Sequence, residues 1–155
     1  MKTDSEKYFW FLNSLTAIRV SARSGENQLS VVEQRAPKGY SPPLHLHRTQ
    51  DEIFHALEGE FRIKVGDQEK HLKAGDMLLI PKGTPHTFII ESSNGGRWFG
   101  ITVGTDYENF VRALARPAEH LDVPPSGEDT APENAVTNAM TAAQFGIEIV
   151  GPRLV

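Results

Sequence analysis

No cysteine occurs in the 155-residue chain, which removes disulfides, thiolate zinc sites and thiol nucleophiles while leaving the redox compartment open. Long apolar runs are missing too: Tyr8-Phe9-Trp10-Phe11-Leu12 is too short for a signal-peptide core or a membrane span, and Met1 to Glu6 before it is polar. The expectation is a soluble, unexported, cytoplasmic protein with no membrane partner. A surplus of basic charge is also absent. Lys and Arg number 16 against 20 Asp and Glu, for a net charge of −4 with the signs interleaved. Without a basic cluster there is no footprint for phosphate backbones, so no nucleic-acid partner is expected. No internal repeat or low-complexity block is present. What is plentiful is punctuation: 13 Gly and 10 Pro, spread between short β-rich runs, point to an all-β core. The length suits one compact domain of roughly 100–200 residues, large enough to shape a pocket.

Between Leu15 and Val103 the sequence breaks into short strand candidates, clearest at Leu29 to Arg35, Glu60 to Val65, Gln68 to Lys73, Asp76 to Ile80, His86 to Glu91 and Arg97 to Val103. Gly66-Asp67 has the length of a two-residue hairpin loop, and Asn94-Gly95 is the strongest hairpin signal, predicted to join two strands of similar length. After Thr105 the period changes. Tyr107, Phe110, Val111 and Leu114 recur at helical spacing with Asp106 placed to cap the first turn. Arg116 to Glu133 is rich in Pro and acid and reads as an extended, mobile surface connector. Pro132, then Ala135, Val136, Ala139, Met140 and Ala143, predict a second helix closed by Gly146, with Ile147 to Val150 pairing or packing afterwards. The division expected is a barrel over residues 1–105 with an N-terminal aromatic strand, and helix, connector and second helix over 106–155, all one domain. Tyr8 to Phe11 are too aromatic for a free tail and should pack as an extra strand on the sheet or across a dimer partner.

One constellation carries chemistry. In His45-Leu46-His47 the strand period of two sends both imidazoles to one face. A polar turn, Arg48 to Asp51, brings Glu52 back beside them, and the Pro81-Lys82-Gly83-Thr84-Pro85 turn aims His86 at the same point. Three nitrogens and one carboxylate converge. Neutral imidazole is the commonest transition-metal ligand, and a carboxylate adds charge neutralisation and a proton acceptor. An isolated HxH pair is more often a solvated or hydrogen-bonded feature than a metal site, but four donors in fixed order reverse that weighting. His55, three residues past Glu52, falls on the opposite strand face and reads as structural; His71 and His120 read as solvated surface. Phe54 and Ala56 share the Glu52 face, and Phe88 and Ile90 that of His86; they either line an apolar substrate pocket or form plain barrel core.

These residues resemble the two sequence motifs of the cupin superfamily. Gly39, His45, His47, Glu52 and Gly59 match the first at every spacing, and Gly75, Pro81, Gly83 and His86 match the second. One position departs: Ile90 stands where the second motif usually ends in Asn, a residue that is not a metal ligand in the family. The aromatic start, the strand at Ser30 to Gln34 and the Phe145 to Pro152 ending resemble small bacterial single-domain cupins of the quercetin-2,3-dioxygenase-like kind. The resemblance implies an all-β, cupin-type double-stranded β-helix, or jelly-roll barrel, with a short C-terminal helical extension. It also implies a homodimer and a site in which His45, His47, Glu52 and His86 hold one divalent transition ion: iron, manganese, nickel, cobalt or copper, with zinc an option.

For such an enzyme the resemblance implies oxidation of an enol or phenolic small molecule by O2, with Glu52 both ligand and catalytic base. That double role asks for a carboxyl pKa raised by an apolar pocket and lowered by a cation. Two other readings stand beside it. A metal-dependent isomerase or cyclase would use the same ion as a Lewis acid without oxygen. A small-molecule-binding cupin would not catalyse at all, though no helix-turn-helix pattern of a sensor is present.

Overall fold

The computed structural model describes residues 7–125 and 132–155; the N-terminal hexapeptide and the middle of the acidic connector, residues 126–131, lie outside the described residues. Among the described residues twelve strands and two helices follow one another. They are β1 (Phe9–Phe11), β2 (Ser14–Val20), β3 (Leu29–Ala36), β4 (Leu44–His47), β5 (Glu52–Glu58), β6 (Glu60–Val65), β7 (Gln68–Lys73), β8 (Met77–Ile80), β9 (His86–Ile90), β10 (Gly96–Val103), α1 (Asp106–Leu114), β11 (Arg116–Pro117), α2 (Pro132–Gln144) and β12 (Ile147–Gly151). One seven-stranded antiparallel sheet runs β11-β1-β2-β3-β10-β5-β8, and a five-stranded sheet runs β12-β4-β9-β6-β7. Facing each other, they form the jelly-roll that the short, regularly spaced strands predict.

Alternation in each strand builds the core. Along β10 the buried positions are Gly96, Trp98, Gly100 and Thr102, and along β5 they are Glu52, Phe54 and Ala56. Between the sheets, Phe54, Phe61, Phe88 and Trp98 pack as an aromatic block, Phe54 lying parallel to Trp98 and Phe88 edge-on to it with centroids 5.1 Å apart. A second cluster, Phe11, Val32, Tyr107, Phe110, Val111, Ala142 and Ile147, seats both helices against the sheets.

Two local expectations need correction. Asn94-Gly95 does not close a hairpin, because β9 and β10 belong to different sheets. The turn is a corner: Gly95 N–H donates to Ser92 O at 3.0 Å, Ser92 Oγ donates to Gly95 O at 2.7 Å, and the chain crosses to pair with β3. Gly95 sits at φ +78°, and a Cβ there would come within 2.5 Å of Ala36 O, so this is a close approach of backbones that only glycine permits. At α1, Asp106 is not the cap. Its carboxylate instead accepts from Thr49 Oγ1 at 2.6 Å, while Gln50 Oε1 accepts the free Tyr107 N–H at 2.9 Å. In α2 the face turned inward carries Ala139 and Ala142, whereas Val136 and Met140 stand exposed. Small side chains allow the close approach that the larger pair would block.

The described part of the connector is anchored. β11 pairs with β1, Ala118 is buried against Trp10 and Leu15, and Trp10 Nε1–H donates to Asp122 O at 2.9 Å. His120 sets its ring edge on Trp10 at 4.8 Å, so it is exposed but not merely solvated. The C-terminal segment completes the barrel itself, since β12 pairs with β4, the strand that carries two of the histidines.

Candidate metal centre

The site lies between the two sheets. His45 and His47 come from β4 and His86 from the start of β9, His45 standing directly opposite His86 in the pairing register. Glu52 reaches across from β5 in the other sheet. The Pro81 to Pro85 turn is fixed to this geometry by Gly83 N–H donating to His47 O at 2.7 Å and by Lys82 N–H donating to Asp51 Oδ1 at 2.8 Å. One ligand atom from each of the three histidines lies within 4.8 Å of the others. Glu52 Oε2 is 3.3 Å from both His47 Nε2 and His86 Nε2.

Tautomers follow from the partners. A backbone carbonyl only accepts, so His45 Nδ1–H donates to Pro43 O at 2.7 Å and His86 Nδ1–H to Thr84 O at 2.9 Å. Each ring thereby turns its Nε2 toward the shared space, the arrangement by which an outer hydrogen bond orients a ligating histidine. Glu52 Oε2 and His86 Nε2 are buried without a hydrogen-bond partner. Buried polar atoms are nearly always paired, and two orphans converging on one point fit an electrophile held there. The donor set, imidazoles and carboxylate without thiolate, suits a divalent transition ion of intermediate hardness.

Electrostatics divide the four residues. Burial, and next the neighbouring His86 and His47, pull the His45 pKa down to about 3. Burial likewise lowers His47, with Glu52 pulling the other way. His86 is raised: burial opposes protonation, but contact with Glu52 more than offsets it. For Glu52, burial alone would raise the carboxyl, yet His86, His47 and His45 together bring it to about 2. The carboxylate is thus anionic throughout the neutral range. The raising effect that a purely apolar pocket would supply is outweighed by the imidazoles around it.

A cavity of about 90 Å³ adjoins the histidines, room for several water molecules, with walls of Phe54, Phe88, Trp98, Tyr40, Phe110 and Ile147 among others. Of the four pocket residues expected from strand alternation, Phe54 and Phe88 line it. Ala56 and Ile90 do not: both are fully buried in the aromatic core, two positions further along their strands from the ligand end. Two polar lining residues escaped the sequence reading. Tyr107 of α1 brings its ring 5.6 Å from that of His47 and donates its hydroxyl hydrogen to Gln34 Oε1 at 2.9 Å; Gln34 Nε2 donates in turn to Ser14 Oγ at 3.0 Å. Burial, then the Glu52 and Tyr40 charges, raise the Tyr107 phenol well above its ordinary value, so it stays neutral. Gln34 was detectable as a polar residue between inward-facing Val32 and Ala36. Tyr107 looked like any member of an apolar helical stripe. His55 stands on the outer face against Phe99, and His71 is exposed.

Known proteins agree with this picture. The profile of the Cupin domain family matches residues 31–103. Quercetin 2,3-dioxygenase of Bacillus subtilis is 31% identical over 107 residues, covering 69% of this chain and 32% of that protein. Human acireductone dioxygenase is 29% identical over 102 residues, covering 63% of this chain and 54% of that protein. The chain therefore spans between a third and about half the length of these two curated relatives. A solved RmlC-like cupin from Shewanella frigidimarina superposes with a TM-score of 0.55 over 77% of this chain and 92% of its own at 19% identity, a likeness of fold alone.

Proposed function

From the premise that the chain belongs to the cupin superfamily, we propose that it is a metal-dependent dioxygenase acting with O2 on a small enol or phenol. Quercetin and acireductone, named for the two relatives, define that substrate class. His45, His47, His86 and Glu52 would together hold one divalent transition ion. When bound, the ion would draw electron density from a substrate oxygen and acidify its hydroxyl. The remaining work falls to the protein. Glu52 Oε2 accepts the substrate hydroxyl proton, leaving an electron-rich anion. Phe54, Phe88 and Trp98 exclude bulk water and give a planar ring an apolar wall to pack against. The Tyr107 hydroxyl, fixed by Gln34, offers a neutral polar contact beside His47.

The observation that carries this reading is the pair of unpartnered atoms, Glu52 Oε2 and His86 Nε2, facing one another across 3.3 Å inside an apolar cavity. Its test is O2 consumption with a flavonol or acireductone substrate, in wild type and in Glu52→Gln. The amide keeps an oxygen donor and loses the proton acceptor, so turnover should fall by about 100-fold or more while metal content falls far less. Equal losses of both would leave Glu52 a ligand only. Turnover that persists under strict anaerobiosis with zinc in the site would assign the isomerase or cyclase chemistry instead.

A further inference from the structure

The cavity beside the histidines shares its walls with a second one. Leu12, Tyr40, Pro42, Pro43, Phe110 and Ile149 line both, and the second, of about 150 Å³, adds Ala135 and Ala139 from α2 and Arg153 from the C-terminal segment. Shared walls make the two spaces the inner and outer chambers of one site. At about 90 Å³ the inner chamber is smaller than the roughly 150 Å³ that takes a benzene ring. A phenol or enol whose oxygen reaches Glu52 therefore continues into the outer chamber. The wall there is mostly apolar, and among the described residues Arg153 is its one charged side chain.

An exposed arginine is ordinarily a solvated surface residue. Arg153 differs on two counts. Its backbone is held on both sides, Pro152 O accepting from Leu44 N–H at 3.1 Å and Leu154 N–H donating to Ser41 Oγ at 3.0 Å. Every other arginine has a carboxylate within 4.0 Å or, for Arg116, the Trp10 ring at 4.9 Å; among the described residues Arg153 has neither. Its guanidinium thus keeps a fork of N–H donors that matches a carboxylate. Along β12, Ile149 stands opposite His45 in the pairing register. Four residues further on, Arg153 is separated from that position by at most about 14 Å of extended chain, within reach of a small molecule whose other end lies beside the histidines.

We propose that the outer chamber is a subsite for the substrate's tail, with Arg153 as its anion contact. The substrate is then an amphipathic enol or phenol ending in a carboxylate: its oxygen-bearing head lies beside Glu52, its apolar middle packs between Phe110 and Ala139, and its carboxylate meets Arg153. This subsite rests on the enol or phenol reading of the inner chamber and adds the other end of the molecule. The apolar stretch between the two ends selects against a sugar or other polyol, whose hydroxyls would be buried there without partners.

Calorimetry under nitrogen measures binding without turnover. Caffeate, a catechol on an unsaturated chain ending in a carboxylate, should bind the wild-type protein about tenfold tighter than its neutral methyl ester. Arg153→Gln, at an exposed position, should remove that advantage and leave the affinity for the ester unchanged. Acid and ester binding alike in the wild type, or Arg153→Gln weakening both equally, overturns the proposal, while the bound ester leaves the reading of the inner chamber intact. Binding of neither ligand overturns it as well; O2 consumption with a neutral flavonol would then show that the reaction stands without a tail subsite.

Discussion

Of the four residues that define the centre, His86 is the one whose ionisation competes with a metal. Its pKa is raised above the ordinary 6.5 because Glu52 sits beside it, whereas His45 and His47 are lowered and already neutral. Beside Glu52 the protonated form of His86 is favoured relative to a free imidazole, and metal uptake must expel that proton. The sign is fixed by the direction of the shift: apparent affinity should rise with pH until it passes the raised His86 value, then level off. Competition with a chelator between about pH 6 and 8 should show a slope near one proton per metal; a flat dependence would contradict the assignment. At this scale the sequence was most legible. The fixed order of His45, His47, Glu52 and His86 marks the site because the strand period converts spacing directly into shared faces. The same period places Ala56 and Ile90 on the correct face, yet cannot say how far along the strand the cavity ends. That limit is set by the aromatic block of Phe61 and Trp98, which closes over both.

Among the elements, those that rest on local pattern were readable and those that rest on crossing points were not. β3, β6, β7 and β10 fall within a residue of their expected bounds, and the Gly66 turn pairs Val65 with Gln68 as a hairpin should. Asn94-Gly95 has the same local signal and a different outcome, because the choice between hairpin and corner depends on Ala36, distant in sequence. The α1 start teaches the same lesson. Its free N–H is satisfied by Gln50, 57 residues away in sequence, so no local capping motif announces it. Gln50 Nε2–H also donates to Val103 O at 2.9 Å, tying helix and sheet together. Gln50→Ala removes both bonds at a buried position and should cost about 1–3 kcal/mol in urea denaturation. It should also loosen Tyr107 beside His47. An unchanged denaturation midpoint would mean the helix start is held by packing alone.

At the scale of the whole molecule, the sheets divide the labour. One sheet contributes all three histidines, the other contributes Glu52, and the aromatic block between them walls the shared space with apolar side chains. The C-terminal segment closes the assembly from two sides, α1 delivering Tyr107 and β12 extending the histidine-bearing sheet. Composition and spacing made the jelly-roll and the convergence of His45, His47 and His86 readable. They did not reveal the second use of the C-terminal residues, which depends on which strands become neighbours. No helix of the described chain is long and apolar enough to cross a membrane. The account stands or falls on the metal itself. Protein purified without added metal, or dialysed against a divalent transition ion, should carry about one equivalent per chain by elemental analysis, and His47→Ala and His86→Ala should lose most of it. A wild-type chain that retains no more metal than those variants would contradict the account.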